Sequence, residues 1–372
     1  MITLIIWGLI GLMGFCACVQ LGYYVFVFSK FGFHKAEKPT YNLKIPVSVI
    51  ISSKNEIRNL QEFLPLILAQ NYPDFEVIVV NDGSWDETAD YIEQLMKTES
   101  RLRLVDVKVE EKYQKGKKLA LTLGIKAATH EWLLFTDADC RPLTENWIKE
   151  MSAGMTEDKE IVLGYSRYKR KNSFLNMFIR WETFYTAMHY FSFALNRNTY
   201  MGVGRNMAYR KSLFFKVKGF ASHLHIMAGD DDLFINETAN ASNVAIVYSR
   251  DSYTESLPKT SWGQWWLQKK RHFYTGKFYK SKHKRMLGFF NFLHILFYLS
   301  LLATLLIGLK YWIFISAIFA FRLIVQGIVL FKSMDKLRIA KIWGFFWLFD
   351  VLMVPYYLSV GIAGLVNKKL KW

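Results

Sequence analysis

The sequence predicts an α/β nucleotide-binding domain flanked by transmembrane helices. Three observations carry that prediction. Strand-like and helix-like segments alternate between residues 47 and 136, polar or acidic residues stand where three of the strands end, and charge-free apolar runs occupy the two ends of the chain. Such alternation implies a parallel sheet with helices on its faces, and sheets of this kind bind ligands beyond the carboxyl ends of their strands.

At the amino terminus, residues 2–28 contain no charged side chain, more than the roughly 20 needed to cross a hydrocarbon core. No positive charge precedes the run, as one would in a cleaved leader, so residues 1–29 are read as a retained span. The net charge is +17, and its placement is informative. Lys30, Lys35, Lys38 and Lys44 follow the first span, eight basic residues stand between Lys269 and Arg285, and no acid lies from 256 to 285. By the positive-inside rule the amino terminus is outside and residues 30–285 are cytoplasmic. Basic belts beside apolar segments suit anionic lipid and give no reason to invoke nucleic acid. Residues 286–331 are long enough for two spans with a turn near Gly308. A further apolar stretch at 342–366 contains Asp350 and Pro355, which read either as a break at the interface or as a kinked span. The region 286–372 therefore holds two to three spans, and a third would put the basic tail 367–372 outside, against the charge rule. Cys16, Cys18 and Cys140 have no disulfide or metal spacing, consistent with a reducing interior.

Within the middle region, residues 47–53 are a β-branched strand, 56–70 carry helical periodicity, and 75–81 form a second apolar strand. Residues 85–98 read as helix, 102–107 alternate as a strand, 117–128 read as helix, and 132–136 form a fourth strand. Ser52, Ser53, Asn55 and Glu56 follow the first strand, Asn81-Asp82-Gly83-Ser84 the second, and Asp137 and Asp139 the fourth. In extended chain, residues i and i+2 point the same way, so Asp137 and Asp139 can converge on one cation. Hard carboxylate oxygens favour Mg²⁺ or Mn²⁺, held jointly with substrate phosphates. A nucleotide-activated substrate follows.

Several segments together carry a resemblance. They are Pro46-Val47-Ser48-Val49-Ile50-Ile51 with Lys54-Asn55-Glu56, Asn81-Asp82-Gly83-Ser84-x-Asp86, Lys117 followed by Ala120-Leu121-Thr122-x-Gly124, and Asp137-Ala138-Asp139. Residues 46–276 resemble the membrane-bound, inverting glycosyltransferases of family two, in their synthase-like branch, with the GT-A fold. The resemblance implies that Ser53, Glu56, Asp82 and Lys117 contact a nucleoside diphosphate sugar, in the first instance a UDP-sugar, with Asp82 reading the base. It implies that Asp137 and Asp139 hold the metal. Gly202-Val203-Gly204-Arg205-Asn206-Met207-Ala208-Tyr209-Arg210 resembles the glycine-rich strand that approaches the donor sugar, giving Gly204 and Arg205 to the acceptor and diphosphate side; as a bare pattern it is also just a turn and a strand.

Gly229-Asp230-Asp231-Asp232-Leu233 stands where the family places the catalytic base. Counting back from Leu233 selects Asp230, and counting on from Gly229 selects Asp231; as a bare pattern, the three acids also complement a helix dipole. Gln264 to His272 resembles the Gln-x-x-Arg-Trp signature, which implies acceptor-side roles for Gln268, Arg271 and His272, with His272 where Trp is usual. The same segment also reads as a basic amphipathic helix on the membrane surface. The function expected is sugar transfer with inversion to a lipid-linked or envelope glycan acceptor, at the cytoplasmic face of a bacterial inner membrane. A processive polysaccharide synthase is the nearest alternative. A nucleotidyltransferase would favour a glycine-rich phosphate loop after the first strand, which is absent here, and a noncatalytic scaffold would not require acids at three strand ends.

Overall fold

A computed structural model describes residues 1–36, 39–107, 116–226 and 228–366. Lys38 and the basic tail 367–372 lie outside the described residues. The chain forms two compact units. One comprises Ala36–Thr183 and Arg197–Thr260, the other Met1–Lys35, Phe184–Asn196 and Ser261–Trp372. Residues 261–285, read from sequence as the end of the middle domain, cluster with the apolar helices.

The first unit is built on β1 (Val47–Ser53), β2 (Phe75–Asn81), β3 (Leu102–Asp106) and β4 (Trp132–Asp137). These pair in parallel in the order β3-β2-β1-β4. β2 is buried along its whole length and β1 nearly so, as strands covered on both faces must be. The register sets Ser53 level with Asn81 and Ser52 level with Asp137, so the polar strand ends share one rim. Beyond β4 the sheet is mixed rather than wholly parallel. β5 (Cys140–Pro142), β6 (Ile161–Leu163), β7 (Ser166–Tyr168), β8 (Met207–Arg210), β9 (Val244–Ile246) and β10 (Thr254–Ser256) follow. β8 runs antiparallel to both β4 and β6, completing the order β3-β2-β1-β4-β8-β6-β9. A small second sheet has the order β5-β10-β7. Strand structure in the glycine-rich segment begins only at Met207, so Gly202 and Gly204 lie in the approach to β8.

Local chemistry sets the helix limits. The helix Thr88–Met96 starts three residues later than its periodicity suggests because Ser84 and Asp86 serve the turn before it. Ser84 Oγ accepts from the Asn55 amide at 2.8 Å and Asp86 Oδ2 from the Ile57 amide at 3.2 Å. These bonds lash the β1 and β2 loops together. The helix Lys117–Ala127 lies tightly on the sheet: a Cβ on Gly124 would stand 2.5 Å from Val80 Cγ2. Val49, Ile51, Val77, Val79, Leu134, Trp147 and Met151 form the core on the sheet.

The other unit contains, among the described residues, four helices long and apolar enough to cross a membrane: Ile2–Gly32, Ser281–Ile307, Leu309–Lys336 and Ala340–Ile362. The first includes a π-helical stretch, Tyr23–Phe28. Asp350 and Pro355 do not interrupt the helix Phe346–Val366 that holds them. The irregular turn falls earlier, in the 3₁₀ stretch Ala340–Phe345. Asp350 is accommodated because Arg322 Nη1 (2.8 Å), Tyr298 Oη (2.6 Å) and Gln326 Nε2 (2.5 Å) all donate to its carboxylate.

Candidate active site

The rim at the ends of β1, β2 and β4 is assembled by turns that the sequence specifies. Asn55 adopts a left-handed backbone (φ 57°), and its side chain accepts from the Trp85 amide at 3.0 Å. Gly83, also left-handed (φ 62°), turns the chain after Asp82. Asn81 donates to Asp106 at 2.7 Å and accepts from the Ser84 amide at 3.2 Å, so part of the Asn-Asp-Gly-Ser-x-Asp element serves to brace the loop. Asp82 is left facing Lys54, whose ammonium is 4.0 Å away. Burial raises the Glu56 carboxyl above its usual range, while Asn59 donates to it at 2.5 Å. The buried Ser53 hydroxyl has no hydrogen-bond partner among the described residues.

Lys117 joins the first half of the unit to the second. Its ammonium stands 2.8 Å from Asp137 Oδ1 and 3.1 Å from Asp230 Oδ2. Burial alone would lift the Asp137 carboxyl, but Lys117 holds it below the usual carboxylate range. Asp139 moves the other way, raised by burial and then by the charge of Asp137. A cavity of about 10 Å³ bounded by Ser52, Lys117, Asp137, Gly204 and Asp230 has room for about one water, so any donor must lie on the open side of the rim.

Asp137, Asp139 and Cys140 bring ligand atoms within 4.8 Å of one another. The Cys140 thiol is raised well above its ordinary value by burial and the Asp139 charge, and lies 2.7 Å from Ser256 Oγ. The two carboxylates supply hard oxygen donors that fit a cation such as Mg²⁺ or Mn²⁺.

The acidic triplet resolves into three environments. Asp230 meets Lys117. Asp231 accepts from the Gly204 amide at 2.8 Å and from the Asp232 amide at 2.7 Å. Asp232 is buried, and its carboxylate accepts from the Leu233 amide at 2.7 Å as the helix Asp232–Thr238 begins. Burial, followed by the charges of Asp230 and Asp232, raises Asp231 to about 7. Gly204 is needed for the fit, since a Cβ there would stand 3.3 Å from Asp231 Cβ.

Arg205 lies with its guanidinium 4.4 Å from the Tyr168 ring centroid, and its buried Nη1 has no hydrogen-bond partner among the described residues. Burial opposes its charge, but Tyr168, Cys140, Asp139 and Asp137 together favour it. Gln268, Arg271 and His272 lie on the helix Trp262–Thr275, which belongs to the unit of apolar helices.

Sequence reasoning missed the support beneath the site. Glu255 on β10 receives Arg141 at 2.8 Å and Arg167 at 2.9 Å. Asn206 is fully buried, accepts from Trp147 Nε1 at 3.0 Å, and donates to the carbonyls of Tyr165 and Ser252. Lys118, beside the predicted Lys117, turns away to donate to the carbonyls of His223 and Ile226, and burial lowers it to about 8. No local pattern marks these residues, because their partners come from distant parts of the chain.

A parallel half-sheet followed by a mixed half, with carboxylates gathered on its rim, is the arrangement of the GT-A fold. Residues 48–217 match the family described as Glycosyl transferase family 2. It is 37% identical over 93 residues to the poly-beta-1,6-N-acetyl-D-glucosamine synthase of Staphylococcus epidermidis, a match that covers 25% of this chain and 21% of that protein. The chain thus spans about a fifth of the length of that synthase. It is 24% identical over 365 residues to the probable glycosyltransferase YdaM of Bacillus subtilis, covering 88% of this chain and 85% of that one. Among solved structures, the mannosyltransferase PcManGT from Pyrobaculum calidifontis, in complex with GDP-Man and Mn²⁺, superposes with a TM-score of 0.60 at 19% identity over 97% of this chain and 100% of that chain. That similarity establishes the fold.

Proposed function

We propose that the chain transfers a sugar from a nucleoside diphosphate sugar to an acceptor hydroxyl, with inversion at the anomeric carbon. The observation that carries this reading is Lys117, which ties the strand-end carboxylate Asp137 to Asp230 and so draws both halves of the unit into one site. Asp137 and Asp139 would hold Mg²⁺ or Mn²⁺, which when bound neutralises a leaving diphosphate. Ser53, Glu56 and Asp82 face the donor nucleotide from the β1 and β2 ends. Lys117 and the Nη1 of Arg205 supply cationic donors suited to phosphate oxygens. Asp231, held by two backbone amides, takes the acceptor hydroxyl proton. The oxygen so freed bonds to the anomeric carbon, and the bond to the diphosphate breaks with its electron pair on the departing nucleotide. Gln268, Arg271 and His272 are assigned to the acceptor side.

The acceptor is a lipid-linked or envelope glycan, and the site faces the cytoplasm of a bacterial inner membrane. The four apolar helices and the basic residues beside them support that placement. The similarity to a polysaccharide synthase keeps processive polymerisation as the second reading. The test is nucleoside diphosphate release by the purified chain in lipid, over a panel of UDP- and GDP-sugars, with Mg²⁺, Mn²⁺ or EDTA. Release from one donor that disappears in EDTA and in Asp139→Asn supports the proposal. Release indifferent to both sinks the metal assignment, and silence across the panel sinks sugar transfer. A product ladder instead of a single addition would favour the second reading.

A further inference from the structure

We propose that a groove between the amino-terminal helix and the start of the helix Ser281–Ile307 binds an anionic phospholipid. The groove measures about 690 Å³ and is bounded by Tyr23, Lys282, Arg285, Gly288, Phe289 and Phe292, within the roughly 300–1,000 Å³ of small-ligand sites. Lys282, Arg285, Phe289 and Phe292 recur at helical spacing, so they form one stripe with its cations at one end and its rings at the other. The rings are 46% and 58% exposed, so the apolar end is uncovered by protein. Tyr23 forms the facing wall: its hydroxyl donates to the Met286 carbonyl at 3.1 Å and its ring lies 5.0 Å from that of Phe290.

The charges point to the ligand's head. No acidic residue occurs from 256 to 334, and among the described residues Lys282 and Arg285 make no ion pair. They also sit in the first turns of their helix, where the macrodipole disfavours cations and an anion would relieve both. Basic pockets beside membrane helices on the cytoplasmic side are suited to anionic head groups. A free phosphate would satisfy the cations and leave the exposed rings in contact with nothing. An acyl chain along Phe289 and Phe292 covers them. A Cβ on Gly288 would meet no atom within 4 Å, so the groove is open above that residue.

The proposal stands apart from sugar transfer and is read without turnover. The full chain, purified in mild detergent, is titrated with phosphatidylglycerol, phosphatidylcholine or inorganic phosphate, and bound lipid is counted by native mass spectrometry. Phosphatidylglycerol should be retained in preference to phosphatidylcholine. Lys282→Gln and Arg285→Gln should each weaken that preference about five-fold and together about twenty-fold, from the contribution of a basic residue near an anionic surface. Gly288→Trp should expel both lipids with the charges intact, whereas Gly288→Ser and Lys284→Gln should leave binding unchanged. Melting temperature in detergent shows that each variant is folded, and the Lys282→Gln/Arg285→Gln double variant carries the test if Gly288→Trp is not. The double Gln variant binding phosphatidylglycerol like the wild type would overturn the site. So would equal retention of the two lipids, or displacement of phosphatidylglycerol by inorganic phosphate alone.

Discussion

Asp231 differs from its two acidic neighbours in what its carboxylate can do. Asp232 is buried at the helix start and Asp230 is neutralised by Lys117, while Asp231 is fixed by two amides and raised to about 7 by burial and by the adjacent acids. A base titrating near the working pH suits proton removal. Below about pH 7 the carboxyl carries its proton and cannot accept another, so kcat/KM should fall as pH drops through that value. Asp231→Asn should lower the rate roughly 10²- to 10⁴-fold and abolish that limb of the profile, with nucleotide binding little changed. Asp230→Asn and Asp232→Asn should cost less. A full rate in Asp231→Asn, with the loss falling on Asp230→Asn, would move the role to the other register. Lys117→Met should instead weaken nucleotide binding, by about 1.5 to 3 kcal/mol for a lost charged hydrogen bond, measured by calorimetry. At this scale the sequence spoke clearly where one strand end carries its own chemistry, as at Asp137 and Asp139. It was silent on Arg141, Arg167, Glu255 and Asn206, whose meaning depends on partners brought in by distant segments.

Elements position these groups through contacts that admit no side chain. The β1 to β4 half was legible because each strand is a short apolar run bounded by turn residues, and parallel pairing then fixes the rim. The mixed half was not: β5, β6, β7, β9 and β10 have three residues each, too few for a period to emerge. Gly124 illustrates a motif residue kept by packing. Its Cβ would meet Val80 at 2.5 Å, so Gly124→Ala should destabilise the unit by about 1 to 3 kcal/mol. Val80→Ala in the same chain should recover part of that loss, as a double-mutant cycle measures. Additive losses in denaturant melts would show that the contact is not the cause. Gly204→Ala tests the opposite case. Its methyl would press on Asp231 at 3.3 Å, so the carboxylate must give slightly; since a shift of about 1 Å at a reacting group can cost about 10²-fold, this smaller one should lower the rate by about 10-fold or less. The melting temperature should stay near that of the wild type.

Across the whole molecule, the apolar helices are joined by a polar network that hydropathy alone cannot disclose. Arg322 donates to Gln20 at 2.8 Å and to Asp350 at 2.8 Å, and Gln326 donates to Tyr24 at 2.9 Å. Residues from the first, third and last of these helices thereby share one buried cluster, with Tyr298 of the second also bound to Asp350. In the sequence Asp350 reads as an interruption, because its partners are 24 residues away and more. In the structure it is the acceptor at the centre of a bundle. A lone charge at such depth is costly, about 3 kcal/mol on insertion scales, while replacing a whole buried pair by apolar residues is often neutral or better. Arg322→Leu and Asp350→Leu should therefore each lower the melting temperature in detergent and increase proteolysis of the bundle. The Arg322→Leu/Asp350→Leu double variant should lie above both singles, because it leaves no uncompensated charge. A double variant less stable than either single would mean that the remaining partners, the acceptor Gln20 and the donors Gln326 and Tyr298, stripped of both ions, matter more than the ion pair itself. The bundle would then be held by its neutral hydrogen bonds, and substitutions at Gln20 and Gln326 would become the damaging ones.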